Sequence, residues 1–429
     1  MRHRFIGLAL FILVGLPTLA MAAGKPYFYP YVNPLEATVM ELPPYYQADL
    51  PDKVPTRTFR LKVFPDRQIP RVFWYEKGLV YSLAYQDKKA PLVFVIAGTG
   101  SRYNSSKMVN LQKALHQAGY HVISLTSPTH MHFIVNASST MTPGHVYEDA
   151  KDLYRVMQLA WDEVKGNIEV SDFHLTGYSL GGIQSAFVAK LDDEEKNFNF
   201  KRVLLINPPV SLYNSVNIFD QMLVDNIPGG MDNFDDWIDT VMRKVADAEE
   251  EMGYLELSGE YIYRAYKRFP PREDFLASLV GVAFRTSSTN MIFAADVMKG
   301  GGYITPRNVG MSNSTSLTKF LLVGNRTSFN DYFTEHFVPF FQQSDASLTE
   351  EKLIDMLSLR NIEPYLRHTG KIGLLHNEDD IILQQGEIGY LEEVFGARAK
   401  IFPTGGHCGN MNHPDVVDFI VNFFAGQGG

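Results

Sequence analysis

Four apolar runs set the terms for residues 91 to 209: PLVFVIAG (91–98), HVISLTS (121–127), FHLTGYS (173–179) and KRVLLINPP (201–209). The first is apolar throughout and ends in Gly, as a central strand buried on both faces does. Three stretches with helical spacing separate the runs: SSKMVNLQKALHQAGY, HVYEDAKDLYRVMQLAWDEV and LGGIQSAFVAKL. A strand buried on both faces needs cover above and below, and strands joined through helices run parallel. The alternation predicts an α/β fold: a mostly parallel, doubly wound sheet with helices on both faces.

Upstream, TRTFRLKVF and LVYSLAY alternate apolar with polar residues, as antiparallel strands with one solvated face do. Downstream the alternation stops at Tyr213 and resumes near residue 368 with GKIGLLHNEDD, a helix around GEIGYLEEVFG, the strand RAKIFPTGGH and a final helix, HPDVVDFIVNFF. Within the gap, Trp237, Ile238, Val241, Met242 and Val245 share one helical face, and Leu276, Leu279, Val280, Ala283 and Phe284 another. A segment this long inside a domain needs its own structure. Residues 213–367 are therefore expected to form an inserted, mainly helical cap, dividing a core of 23–212 and 368–429. GGGYITP, at 300–306, reads as a hinge or a plain loop, and DDEEK (192–196) as a solvated helix end.

The chain has 429 residues, enough for a large core. Residues 1–22 carry Arg2 and Arg4, an apolar run from Phe5 to Leu16 and the small-x-small site Ala20-Met21-Ala22. This pattern predicts a secretory signal peptide, and a periplasmic or secreted protein with no integral membrane segment after cleavage. Cleavage moves the net charge from −9 to −11, since the segment holds two arginines and no acid. So acidic a chain argues against nucleic acid as partner. The single cysteine, Cys408, excludes an intramolecular disulfide.

FHLTGYSLGG contains Gly-x-Ser-x-Gly between a predicted strand and a predicted helix. Such a turn needs glycine at 177 and 181, because side chains there would strike neighbouring backbone. It lifts the Ser179 hydroxyl clear of the sheet at a helix N-terminus. A serine nucleophile needs a base, and the base an orienting acid. After the next strands, KIGLLHNEDDIIL supplies Asp380, with Asp379 as rival, and KIFPTGGHCGN supplies His407 behind two glycines. His145, His376 and His413 read as ordinary structural residues. The loop VFVIAGTGS offers the Thr99 N–H, and the turn the Leu180 N–H, as donors for an oxyanion hole. Cys408, beside His407, reads as a packing residue.

The order Ser, Asp, His on successive strand ends resembles the α/β-hydrolase superfamily, over about residues 56–212 and 368–429. The resemblance implies Ser179 as nucleophile, Asp380 as acid, His407 as base, and Thr99 and Leu180 as oxyanion donors. It departs from the family at Ala97-Gly98, where a His-Gly pair is common, and in the size of its insertion. The function expected is an exported serine hydrolase of carboxylic esters, with a small-molecule or lipid-like substrate. A peptidase, thioesterase or acyltransferase using the same triad, or a non-catalytic periplasmic binding factor, are the alternatives. No metal or organic cofactor is implied. The Met- and Phe-rich stretches NMIFAADVM and DYFTEHFVPFF read either as a greasy substrate channel or as the cap's own core.

Overall fold

The computed structural model describes residues 27–240, 272–307 and 310–427. The expected signal peptide and the positions Val241, Met242 and Val245 lie outside the described residues. One sheet comprises β1 (Thr56–Leu61), β2 (Leu79–Ala84), β3 (Ala90–Ile96), β4 (His121–Leu125), β5 (Val170–Tyr178), β6 (Arg202–Ile206), β7 (Ile372–Asn377) and β8 (Ala399–Phe402). Their order is β1-β2-β4-β3-β5-β6-β7-β8. The β1–β2 and β2–β4 pairs are antiparallel and all others parallel. The helices that matter below are α1 (Pro34–Val39), α2 (Ser106–Gln117), α3 (Val146–Val164), α4 (Leu180–Glu195), α5 (Leu212–Val224), α6 (Glu273–Lys299), α7 (Glu387–Phe395) and α8 (Pro414–Ala425).

Burial on both faces is visible residue by residue along β3. Leu92, Phe94 and Ile96 join Leu153 of α3 and Ile183 and Phe187 of α4 in one apolar cluster. Val93 and Val95 point the other way, into a cluster with Met108 and Leu115 of α2 and Ile420 of α8. The strand period of two thus feeds two cores at once. The α/β class and the doubly wound, mostly parallel sheet are as the sequence predicts. One local expectation fails and another holds except at one residue. Only β1, at the sheet edge, is largely exposed; β2 is buried on both faces, because Gln112 of α2 donates to Ser82 Oγ (3.0 Å) and lets that hydroxyl sit inside. In DDEEK, residues 193–196 form the exposed helix end expected, but Asp192 is buried, and its carboxylate accepts from Tyr154 Oη (2.7 Å) and the Phe198 and Phe200 N–H groups (2.9 Å each).

Between β6 and β7 the described residues are mainly helical. Leu276, Val280 and Phe284 are buried at a spacing of four, while Ala283 is exposed. Helix α6 packs closely on α5: a Cβ on Gly281 would lie 2.6 Å from the Leu223 nitrogen. Beside that contact Arg285 is fully buried and donates through Nε (3.0 Å) and Nη2 (2.7 Å) to Asp220 of α5. The same carboxylate accepts from the Phe329 N–H, and Arg285 Nη1 donates to Asn325 O (2.9 Å). Phe293, Phe333 and Phe337 are buried in the large core cluster, so those aromatic stretches are chiefly interior packing. The 300–306 stretch is a tied loop: Asp296 accepts from the Tyr303, Ile304 and Thr305 N–H groups at 2.8–2.9 Å.

Replacing Asp220 with Ala leaves a guanidinium buried without its counter-charge. The expected loss is about 3–5 kcal/mol of stability, measured by urea unfolding, and most of it should return in Asp220→Leu/Arg285→Met.

Candidate active site

Ser179 stands where β5 turns into α4, with φ 55° and ψ −124°. That conformation is strained for a residue with a Cβ, at a cost of about 1–3 kcal/mol. The turn is held from both sides. The Ser179 N–H donates to Ile206 O of β6 (2.9 Å), and its carbonyl accepts from the Gly182 N–H (2.8 Å). The two flanking glycines are required by contact. A Cβ on Gly177 would lie 2.2 Å from Gly181 O, and one on Gly181 2.2 Å from Ile96 O. Helix α4 therefore starts against the ends of β3 and β5, and the serine is forced outward.

His407 lies on the loop after β8. Its Nε2 is 2.8 Å from Ser179 Oγ, and its Nδ1 is 3.0 Å from each Asp380 oxygen. A carboxylate only accepts, so Nδ1 carries the proton and Nε2 is free to accept from the serine. Asp380 is buried and further held by Asn207 Nδ2 (2.9 Å) and the Ile382 N–H (3.2 Å). Burial alone would raise its pKa; the facing His407, with Asn207, outweighs that and leaves it lowered. For His407 burial alone favours the neutral ring, but the Asp380 charge outweighs it and raises the pKa.

The rival carboxylate has a different place. Asp379 accepts from the Gly405 (3.2 Å) and Gly406 (2.8 Å) N–H groups, and so shapes the loop that carries His407. His145 and His413 cap the helices α3 and α8, accepting from the Glu148 and Asp415 N–H groups. His376 is fully buried near Asp380 (3.7 Å), its pKa lowered by burial, between the Asn377 N–H and Pro208 O. Cys408 is buried in an apolar cluster, as a packing residue is, with its Sγ 3.9 Å from His407 Nε2.

Thr99 and Leu180 face a common cavity. Leu180 is the first residue of its helix, where an N–H has no intrahelical acceptor. Neither N–H has an acceptor among the described residues. The loop around Thr99 is fixed by the Gly100 N–H, which donates to Thr129 Oγ1 (3.0 Å). Gly98 admits no side chain, since a Cβ there would meet the Tyr178 ring at 2.6 Å.

Sequence reasoning missed three supports. Asn207, at φ 44°, sits in INPP at the end of β6; an Asn before two prolines was the available signal. Thr129 carries no such signal. The third is the Pro- and Tyr-rich segment that precedes β1. Its helix α1 lies against the histidine loop: Thr38 Oγ1 accepts from the His407 N–H (2.9 Å) and donates to Pro34 O (2.7 Å). A Cβ on Gly409 would lie 1.7 Å from Ala37 O. Tyr27 Oη donates to Thr404 O (2.9 Å), tying down the same loop. Among the described residues no cluster of side chains could hold a metal ion, and no helix is long and apolar enough to cross a membrane.

No family model and no curated protein matches this chain. Solved structures do. An esterase from Butyrivibrio proteoclasticus is 11% identical, with 82% of this chain and 96% of that chain covered and a TM-score of 0.38. A Pyrococcus furiosus esterase is 9% identical, covering 91% and 99%, at 0.40. A serine hydrolase from the polyaromatic hydrocarbon-degrading bacterium Cycloclasticus zankles is 13% identical, covering 87% and 99%, at 0.40. At such values the chain's own strand order and site geometry carry the interpretation.

Because Thr38 Oγ1 holds the His407 N–H, Thr38→Val should lower the kcat of ester turnover by roughly tenfold with little change in KM, and Thr38→Ser should restore it. A purely structural role would instead lower the melting temperature in both variants.

Proposed function

We propose that this chain, an α/β-hydrolase in fold, is an exported serine hydrolase that cleaves carboxylic esters through an acyl-enzyme. One observation carries the reading: a strained serine, an imidazole and a buried carboxylate joined in a line by hydrogen bonds of 2.8 and 3.0 Å. Ser179 Oγ attacks the acyl carbonyl while His407 Nε2 takes its proton. The carbonyl oxygen becomes an oxyanion facing the Thr99 and Leu180 N–H groups, each such donor being worth about 3 kcal/mol in the transition state. His407 then gives the proton to the leaving alkoxide, and the acyl group stays on Ser179. A water enters, His407 takes one of its protons, and the resulting hydroxide attacks the acyl carbon. The tetrahedral adduct expels Ser179 Oγ, which recovers its proton from His407 as the acid departs. Asp380 holds the ring in the reactive tautomer and stabilises the imidazolium formed in each half-reaction.

Export rests on the leader pattern of residues 1–22, and the mature N-terminus of secreted protein tests it. The ester reading is tested with p-nitrophenyl esters of increasing acyl length. Turnover should be lost in Ser179→Ala, with the circular dichroism spectrum unchanged; retained turnover in that variant would remove Ser179 as nucleophile.

The pH profile follows from the His407 charge. The reaction needs the neutral ring, and Asp380 raises the ring's pKa, so protonation persists to higher pH than for an isolated imidazole. The acid limb of kcat/KM should therefore fall above the ordinary value of about 6.5. Asp380→Asn should shift that limb to lower pH while lowering kcat by roughly 10³–10⁴-fold.

A further inference from the structure

The cavity that Thr99 and Leu180 face is small, about 20 Å³, and is roofed by the inserted helix α6. The free space beside the two N–H groups is therefore narrow. Its walls are chiefly apolar, with Leu212, Phe284, Met291 and Phe329 among them. An acyl chain held here is short, because these side chains close the space a longer one would need.

Thr99, Thr129, Ser287 and Ser288 are the polar residues in that lining. Ser288 of α6 is 3% exposed and its hydroxyl is buried with no hydrogen-bond partner. A serine inside a helix ordinarily bonds back to a carbonyl one turn earlier. Ser278 of the same helix does so, donating to Phe275 O (2.8 Å), and Ser185 of α4 donates to Gly181 O (2.7 Å). Thr289, the next residue, donates to Asn325 Oδ1 (2.8 Å). Among these buried hydroxyls Ser288 alone is left unsatisfied, and it is the one that lines the cavity next to the oxyanion donors. An unpaired buried hydroxyl is a standing cost to the free protein, removed when a ligand oxygen pairs with it. A site of this kind also rejects an analogue that lacks the oxygen, since the hydroxyl then stays unpaired.

We propose that Ser288 is a specificity-determining residue that pairs with an oxygen on the substrate's acyl chain, making the favoured substrates esters of short hydroxy- or keto-acids. The inference rests on the serine-hydrolase reading of Ser179. It replaces a lipid-like acyl group with a small polar one, and it gives the inserted helix a direct part in choosing the substrate.

The test compares phenyl 3-hydroxybutyrate with phenyl 3-methylbutyrate, and phenyl 2-hydroxypropanoate with phenyl 2-methylpropanoate. Within each pair a methyl replaces the hydroxyl at nearly constant size. Wild-type protein should show a kcat/KM at least about tenfold higher on one of the hydroxylated esters than on its methyl partner. Ser288→Ala should bring that ratio near one by losing rate on the hydroxylated ester, and its melting temperature should not fall, because the variant removes an unpaired group. A wild-type ratio at or below one in both pairs would overturn the proposal. So would a ratio that survives Ser288→Ala, or an equal loss on both members of a pair. Wild-type protein that neither turns over phenyl acetate nor labels with a fluorophosphonate would instead overturn the serine-hydrolase reading, and this proposal with it.

Discussion

Everything at the site depends on how closely the start of α4 lies against the ends of β3 and β5. Gly177 and Gly181 leave no room for a methyl group between the helix and the strand carbonyls. That contact puts Ser179 into a conformation a side chain resists, and β6 secures it through the Ile206 carbonyl. The strain of the turn is small beside the burial that surrounds it, since the flanking strands are apolar on both faces. A local conformation that the serine would avoid by itself is therefore imposed by the sheet.

The charge at the site is fixed by a different set of contacts. A buried carboxylate is stable as an anion only if its oxygens are occupied, and Asp380 is met by His407, Asn207 and the Ile382 N–H. Its neighbour Asp379 spends its hydrogen bonds on the backbone of the loop that carries His407. Two adjacent acids thus do separate jobs, one facing the ring and one shaping the loop. The lead-in segment supplies the remaining constraint through Thr38, more than three hundred residues away in sequence.

The insertion acts as a roof. Its long helix α6 is anchored by the Arg285–Asp220 pair, buried where an unpaired charge would be severely destabilising. The pair locks α6 to α5 beside the residues that line the cavity, so cavity shape and cap packing are the same problem. Most of the insertion's aromatic residues among the described ones are used for that packing, and few reach the cavity.

The sequence by itself determined the mostly parallel sheet, the turn at Ser179 and the order of Ser179, Asp380 and His407 along it. Apolar runs separated by helical spacings point to a mostly parallel sheet covered on both faces, and glycines flanking a serine between a strand and a helix point to that turn. Strand burial was harder to see: LVYSLAY alternates, yet β2 is buried on both faces because a glutamine from α2 satisfies its serine. Asp192 was misread for the same reason, a polar residue made interior by partners outside its own segment. Only the tertiary structure decided between Asp379 and Asp380 as the partner of His407, brought Asn207 and Thr38 to the site, and left a small cavity beside Thr99 and Leu180. Periodicity and local sterics are properties of neighbouring residues and are written in the chain; the pairing of a buried polar atom depends on which distant segment arrives beside it, and no local pattern records that.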